Sequence, residues 1–231
     1  MVRRSYYTLV ASLPALPRLE QAERLPINET RLVERLRMLH PEDAKQVELL
    51  SRAIRWENHP PGERDAEVAA NYRALLGEDT HPGVRSAVEF RIDLRTILAA
   101  LRRRHRGETD GPTDAAWGVG RWVRHIESHW TDPDFRLAGV FPWIPEARAH
   151  LEDGKALELE TLVMNLVWDS LDQTAAGRHF ALENVIVFLS RWDMLRRWLS
   201  YGEEAARDRF EGLAATLFAD PGQSPQPTPT S

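Results

Sequence analysis

A chain of 231 residues, 42% hydrophobic and 28% charged, is long and apolar enough to bury a sizeable core, which excludes wholesale disorder. Thirty basic residues face thirty-five acidic ones, and the net charge of −5 supplies no long-range pull toward nucleic acid or anionic lipid. The absence of cysteine excludes disulfides, thiolate metal sites and cysteine nucleophiles, and fits an intracellular, cytoplasmic setting.

The first residues, "MVRRSYYTLVASLPALPRLE", pair two arginines with an apolar run, as a secretory leader does. The run over 6–13 is short, is stopped by Pro14 and Pro17, and lacks a small-residue cleavage site, so it reads as a mature N-terminus. Its period does not separate a strand from a short buried helix. Asn28 is placed to cap a helix carrying Leu32, Val33, Leu36 and Leu39, which His40-Pro41 breaks. Pro41 suits a first helical position, Glu42 and Asp43 complement the helix dipole, and Val47, Leu49, Leu50 and Ile54 line one face. The two helices are expected to form a hairpin.

"ENHPPGERD" and "GEDTHPG" read as loops, with a short helix over 66–76 between them. Phe90, Leu94, Ile97, Leu98 and Leu101 recur at steps of three and four, the stripe of an amphipathic helix. "RGETDGPTD" is rich in charge and turn formers. It divides an N-terminal helical unit over 1–106 from a C-terminal one over 115–218, within one continuous domain. Trp117, Trp122, Ile126 and Trp130 extend a helical spacing up to Asp132-Pro133, and "FRLAGVFPWIPEARAHLE" reads as a turn against the core, with a helix from about Pro145. Three more helices are expected over 158–172, 182–201 and 205–218, then a disordered, proline-rich tail over 219–231. The fold class is all-α. No run reaches the ~18 apolar residues of a membrane span, since "LETLVMNLVW" is broken by Asn165 and followed by Asp169, so any membrane link passes through a partner.

Few residues suggest chemistry. In "RHIESHW", His125 and His129 share a helical face with Glu127 between them, a spacing that can reach one metal ion and serve a metal-dependent hydrolase. A zincin sets its glutamate directly after the first histidine, where this chain has Ile126, and a nucleoside deaminase needs cysteines. Metal ligands are therefore not assigned. "LRRRHRG", 101–107, could meet phosphate or carboxylates, but cations before a glycine also match an ordinary helix C-terminus. "GVGRW", 118–122, lacks the glycines and flanks of a nucleotide loop. Glu158, Glu160, Asp169 and Asp172 offer carboxylates with nothing to fix their geometry, and Trp143, Trp168 and Trp192 sit among apolar neighbours that point to the core. No catalytic residue and no cofactor is assigned.

One internal echo remains. "EFRIDLRTILAALRRR", 89–104, and "ENVIVFLSRWDMLRRW", 183–198, match Glu89 with Glu183, Ile92 with Ile186, Leu101 with Leu195, and Arg102-Arg103 with Arg196-Arg197. Together with "YYTLVASLPAL", "LHPEDAKQVELLSRAIRWEN" and "FRLAGVFPWIPE", the sequence resembles an uncharacterised bacterial family. That family accompanies V-type ATPase operons and is related to the C subunit of V/A-type ATPases, which is the d subunit of the eukaryotic enzyme. The resemblance spans most of the chain except the loop near Gly107 and the tail, and it rests on pattern and order rather than on a catalytic signature. It implies an all-helical scaffold of repeated units that docks the central stalk onto the proteolipid ring or assists assembly, with no substrate or cofactor and with membrane contact only through partner subunits. This chain is shorter than a usual C subunit. Under that resemblance Arg102, Arg103, Arg196 and Arg197 are the candidate partner-interface residues.

Overall fold

A computed structural model describes residues 4–57, 77, 79–112 and 117–218, with residues 52–57 and 201–218 described by backbone alone. The short helix expected over 66–76 and the tail over 219–231 lie outside the described residues. Among the described residues there are eight α-helices and one 3-10 turn, with no strand. The helices are α1 (Tyr7–Ser12), α2 (Glu29–Leu36), α3 (Pro41–Glu57), α4 (Pro82–His105), α5 (Val123–Ser128), α6 (Ile144–Glu152), α7 (Ala156–Ala175) and α8 (Leu182–Phe218). The all-α class therefore holds, and no described helix is long and apolar enough to cross a membrane.

The opening run is a helix. α1 buries Leu9 and ends at the residues before Pro14, while Tyr6, at its N-terminus, is buried against α3. The Tyr6 hydroxyl donates to the buried Asp43 carboxylate and accepts from the His40 amide. Burial, then the bond to Asp43, raises the Tyr6 phenol to about 12. Because the neutral phenol is the favoured form, its stabilisation is complete below pH 10 and is lost as pH rises toward 12. In alkaline urea titrations, the stability advantage of the native chain over Tyr6→Phe is expected to shrink across that window. An advantage that stays constant from pH 10 to 12 contradicts the assigned bond.

Asn28 caps α2 as expected, its Oδ1 accepting from the Arg31 amide at 2.9 Å. The stripe is narrower than the spacing suggests. Leu32 is buried, but Val33 is 49% exposed, and Leu39 reaches the core from the turn after the helix. α2 packs on α1, whereas α3 turns to α4 and α8, so the expected hairpin is two successive helices serving different neighbours. α3 starts at Pro41 and buries Val47 and Leu50. The side chain of Ile54 lies outside the described residues. Gln46 ties α3 to the start of α4, donating to the Asp79 carbonyl at 3.1 Å and accepting from the His81 amide at 2.8 Å.

α4 is the hub, touching α3, α5, α6, α7 and α8. Leu94, Ile97, Leu98 and Leu101 are buried as their spacing predicts, and Phe90 lies half-buried at the edge. The helix expected through Trp117–Trp130 is cut to α5, because the preceding loop is clamped onto α4 instead of coiling. Thr96 Oγ1 donates to the Val119 carbonyl at 2.7 Å and accepts from the Val119 amide at 3.1 Å. Gly120 adopts φ +100°, and a Cβ there would stand 2.8 Å from Ile92 Cγ2. The glycines of "GVGRW" thus serve backbone approach to a helix. Beside them the buried Asp93 carboxylate accepts from Arg121 Nε at 3.2 Å and Nη2 at 2.8 Å. Burial raises the Asp93 pKa, with Arg121 opposing.

The two helices expected over 182–201 and 205–218 are one, α8, of 37 residues. Only the isolated Gly202 interrupts its pattern, and one glycine costs a helix ~1 kcal/mol without ending it. Gly83 of α4 faces Glu183 and Ile186 of α8, while Arg102 and Arg197, far along the same helices, line one cleft, so α4 and α8 run in the same direction. α7 lies antiparallel to α8, since Asp172 meets Arg191 and Glu160 meets Arg197. One apolar cluster joins both halves of the chain, from Leu9 and Leu50 through Ile97 to Trp168 and Leu195.

Candidate functional site

The basic C-terminal end of α4 and the middle of α8, at Arg197, meet α6 and α7 at a cleft of about 440 Å³. Its floor is apolar: Leu98 and Leu159 are buried, with Leu151 and Val163 half-buried beside them. Its rim is mostly cationic or titratable, with Arg102, His150 and Arg197 against a single carboxylate, Glu160. Gly154, at φ +67°, turns the chain between α6 and α7 and forms one end of the cleft.

The four arginines singled out from sequence separate here. Arg197 Nη2 lies 3.2 Å from Glu160 Oε1, a pair about one-third exposed on each side. Arg102 is exposed at the rim yet partly stripped of water by the cleft. That desolvation, followed by repulsion from Arg95 and Arg106, lowers its pKa, and Glu160 opposes the shift. The guanidinium stays charged at any ordinary pH. Arg103 instead turns toward Glu108 at 3.5 Å, and Arg196 pairs with Asp193 at 2.6 Å along its own helix while covering the Trp192 ring at 5.7 Å. Two of the four therefore share the cleft and two do not.

The rest of "LRRRHRG" behaves as a helix end. Arg104 donates to the Asp132 carbonyl and lies over the Phe135 ring at 5.3 Å, and Gly107 leaves the helix at φ +91°. The histidine pair is also structural in its bonding. His125 Nε2 donates to the Phe135 carbonyl at 3.0 Å, and His129 Nδ1 donates to the His125 carbonyl at 2.8 Å. Their rings stack 4.3 Å apart at 27° rather than converging on one point, and Glu127 accepts from Trp117 Nε1 at 2.9 Å. Among the described residues no group of three or more His, Asp or Glu side chains stands close enough to hold a metal ion.

The α7 carboxylates are dispersed among separate arginines: Glu160 with Arg197, Asp169 with Arg18 at 2.7 Å, and Asp172 with Arg191 at 2.6 Å. Glu158 lies exposed on the first turn. The tryptophans Trp143, Trp168 and Trp192 are buried as their neighbours suggested. Trp192 Nε1 donates to the Ile27 carbonyl at 2.8 Å.

Sequence reasoning missed His150, Leu159 and the floor of the cleft. The signal for Glu160 was present as one of several scattered acids, but nothing in one dimension aims it at Arg197, 37 residues away. Comparison with protein-family models, with curated proteins and with solved structures finds no match for this chain.

Proposed function

We propose that the chain is a non-catalytic component of a V/A-type ATPase, similar to its C subunit, docking the central stalk to the proteolipid ring or assisting its assembly, and residing in the cytoplasm at the membrane periphery through that complex. The observation that carries the reading is the α4 and α8 pair. The two helices share a sequence pattern, lie side by side in the same direction, and bring a basic residue each to one open cleft. Equivalent wall helices of a repeated helical scaffold fit that arrangement. An open cleft with an apolar floor and a charged rim suits contact with another protein, where shape and charge complementarity set specificity.

The test is an affinity pull-down of the tagged full chain from its native membranes, read by mass spectrometry. Central-stalk and proteolipid-ring subunits are expected, and the doubly reversed variant Arg102→Glu with Arg197→Glu is expected to recover at least about tenfold less, as loss of charge-assisted contacts implies. Recovery of none of these subunits, from membranes holding an intact ATPase, refutes the assignment and leaves a helical adaptor of another system.

A further inference from the structure

Arg102 and Glu160 differ in how they are satisfied, and the difference points to an occupant. Among the described residues no side-chain hydrogen bond or ion pair engages Arg102, although the cleft has already removed part of its water. A guanidinium in that condition gains more from an incoming carboxylate than a fully hydrated one does, because the desolvation has been met in advance. Glu160 already shows what the rim accepts, since its carboxylate sits on Arg197 at 3.2 Å, in a pair exposed enough to exchange readily. Below these charges, Leu98 and Leu159 present an apolar floor that a bare anion cannot use.

We infer that the cleft between α4, α7 and α8 receives an acidic, leucine-bearing peptide segment of a protein partner. One carboxylate of that segment pairs with Arg102, another takes Arg197 from Glu160, and an apolar side chain settles on Leu98 and Leu159. The inference rests on the docking role proposed above and specifies its chemistry. Two observations select a peptide over other anions. The cleft is open to solvent rather than enclosing, unlike sites that bury most of a small ligand. Its cations line a concavity that a flat lipid surface does not enter.

Glu160 then acts as an internal competitor. It holds the empty cleft in a neutralised state and sets a threshold that a weakly acidic segment does not pass.

The experiment uses the purified full chain and fluorescence anisotropy of a short labelled peptide of alternating leucine and glutamate, with a leucine–glutamine peptide as control. The acidic peptide is expected to bind the native chain, to bind Glu160→Gln several-fold more tightly, and to bind Arg102→Glu about ten- to hundredfold more weakly. The glutamine peptide is expected to bind none of the three. Arg102→Gln, with a smaller loss in the same direction, serves if the reversal disturbs the thermal midpoint. Unchanged binding by both Arg102 variants overturns the inference, as does no binding by either the native chain or Glu160→Gln. Inorganic phosphate or phosphatidylglycerol vesicles binding with the same dependence on Arg102, and displacing the peptide, also overturn it in favour of a general anion site. Peptide binding without stalk subunits in the pull-down refutes the ATPase assignment alone. Stalk recovery undiminished in Arg102→Glu refutes the cleft alone.

Discussion

Leu195→Ala is expected to lower stability by about 3 kcal/mol or more and the Tm by on the order of 10 °C. Leu195 has no exposed surface, lies on the described part of α8, and belongs to the cluster shared with α4 and α7. Removing it takes apolar atoms out of contact and leaves a void that three helices from both halves of the chain must close together, which rigid helices do poorly. Val33→Ala, at a position 49% exposed, is the control and is expected to shift stability by ~0.5 kcal/mol or less. Chemical denaturation of the native chain and the two variants measures both effects. A loss under about 1 kcal/mol for Leu195→Ala contradicts the packing assigned to it.

Gly120→Ala is expected to cost about 2–4 kcal/mol, although it adds a single methyl group. Two costs combine. An alanine at φ +100° is strained wherever it sits, and its Cβ would lie 2.8 Å from Ile92 Cγ2, a buried atom on a helix that cannot yield. Relief requires lifting the 117–122 loop from α4, which breaks the two Thr96 bonds to Val119 and exposes the Asp93–Arg121 pair. The Val119 amide is therefore expected to lose protection in hydrogen exchange before the rest of the molecule does. Gly139→Ala, where an added Cβ meets nothing within 4 Å, is expected to be near neutral. Equal stability of the two variants would show that the loop does not press on α4 as described.

These cases mark where one-dimensional reasoning holds. The stripe through Leu94, Ile97 and Leu101, the Asn28 cap and the Pro41 start all depend on neighbours within a turn or two of helix, and each is found where spacing and capping chemistry place it. The clamp on Val119 depends on Thr96, 23 residues away, and no local pattern announces it. The internal echo shows the same boundary. Ile92 and Ile186 are both buried, as are Leu101 and Leu195, yet Glu89 is exposed while Glu183 is buried beside Gly83 and near Arg178. Periodicity identifies the face of a helix but not what stands opposite it. For that reason four arginines looked equivalent in sequence, whereas only Arg102 and Arg197 meet across the cleft. The fusion of the last two helices has a different cause: a lone glycine signals a possible stop, and continuous backbone bonding outweighs it.

The N-terminal segment is anchored both by its near neighbours on α2 and α3 and by residues far along the chain. Tyr6 donates its amide to Phe180, Arg18 pairs with Asp169, Glu20 accepts from Asn165, and Ile27 accepts from Trp192, 165 residues away. During synthesis at ~5–20 residues per second, Ile27 therefore waits on the order of ten seconds for Trp192. Until the first half of α8 emerges, Leu19 and Ile27 lack the helix that completes their burial. Closure of residues 6–27 onto α7 and α8 is thus a late event in folding, and until then the apolar side of that segment stays open to a chaperone.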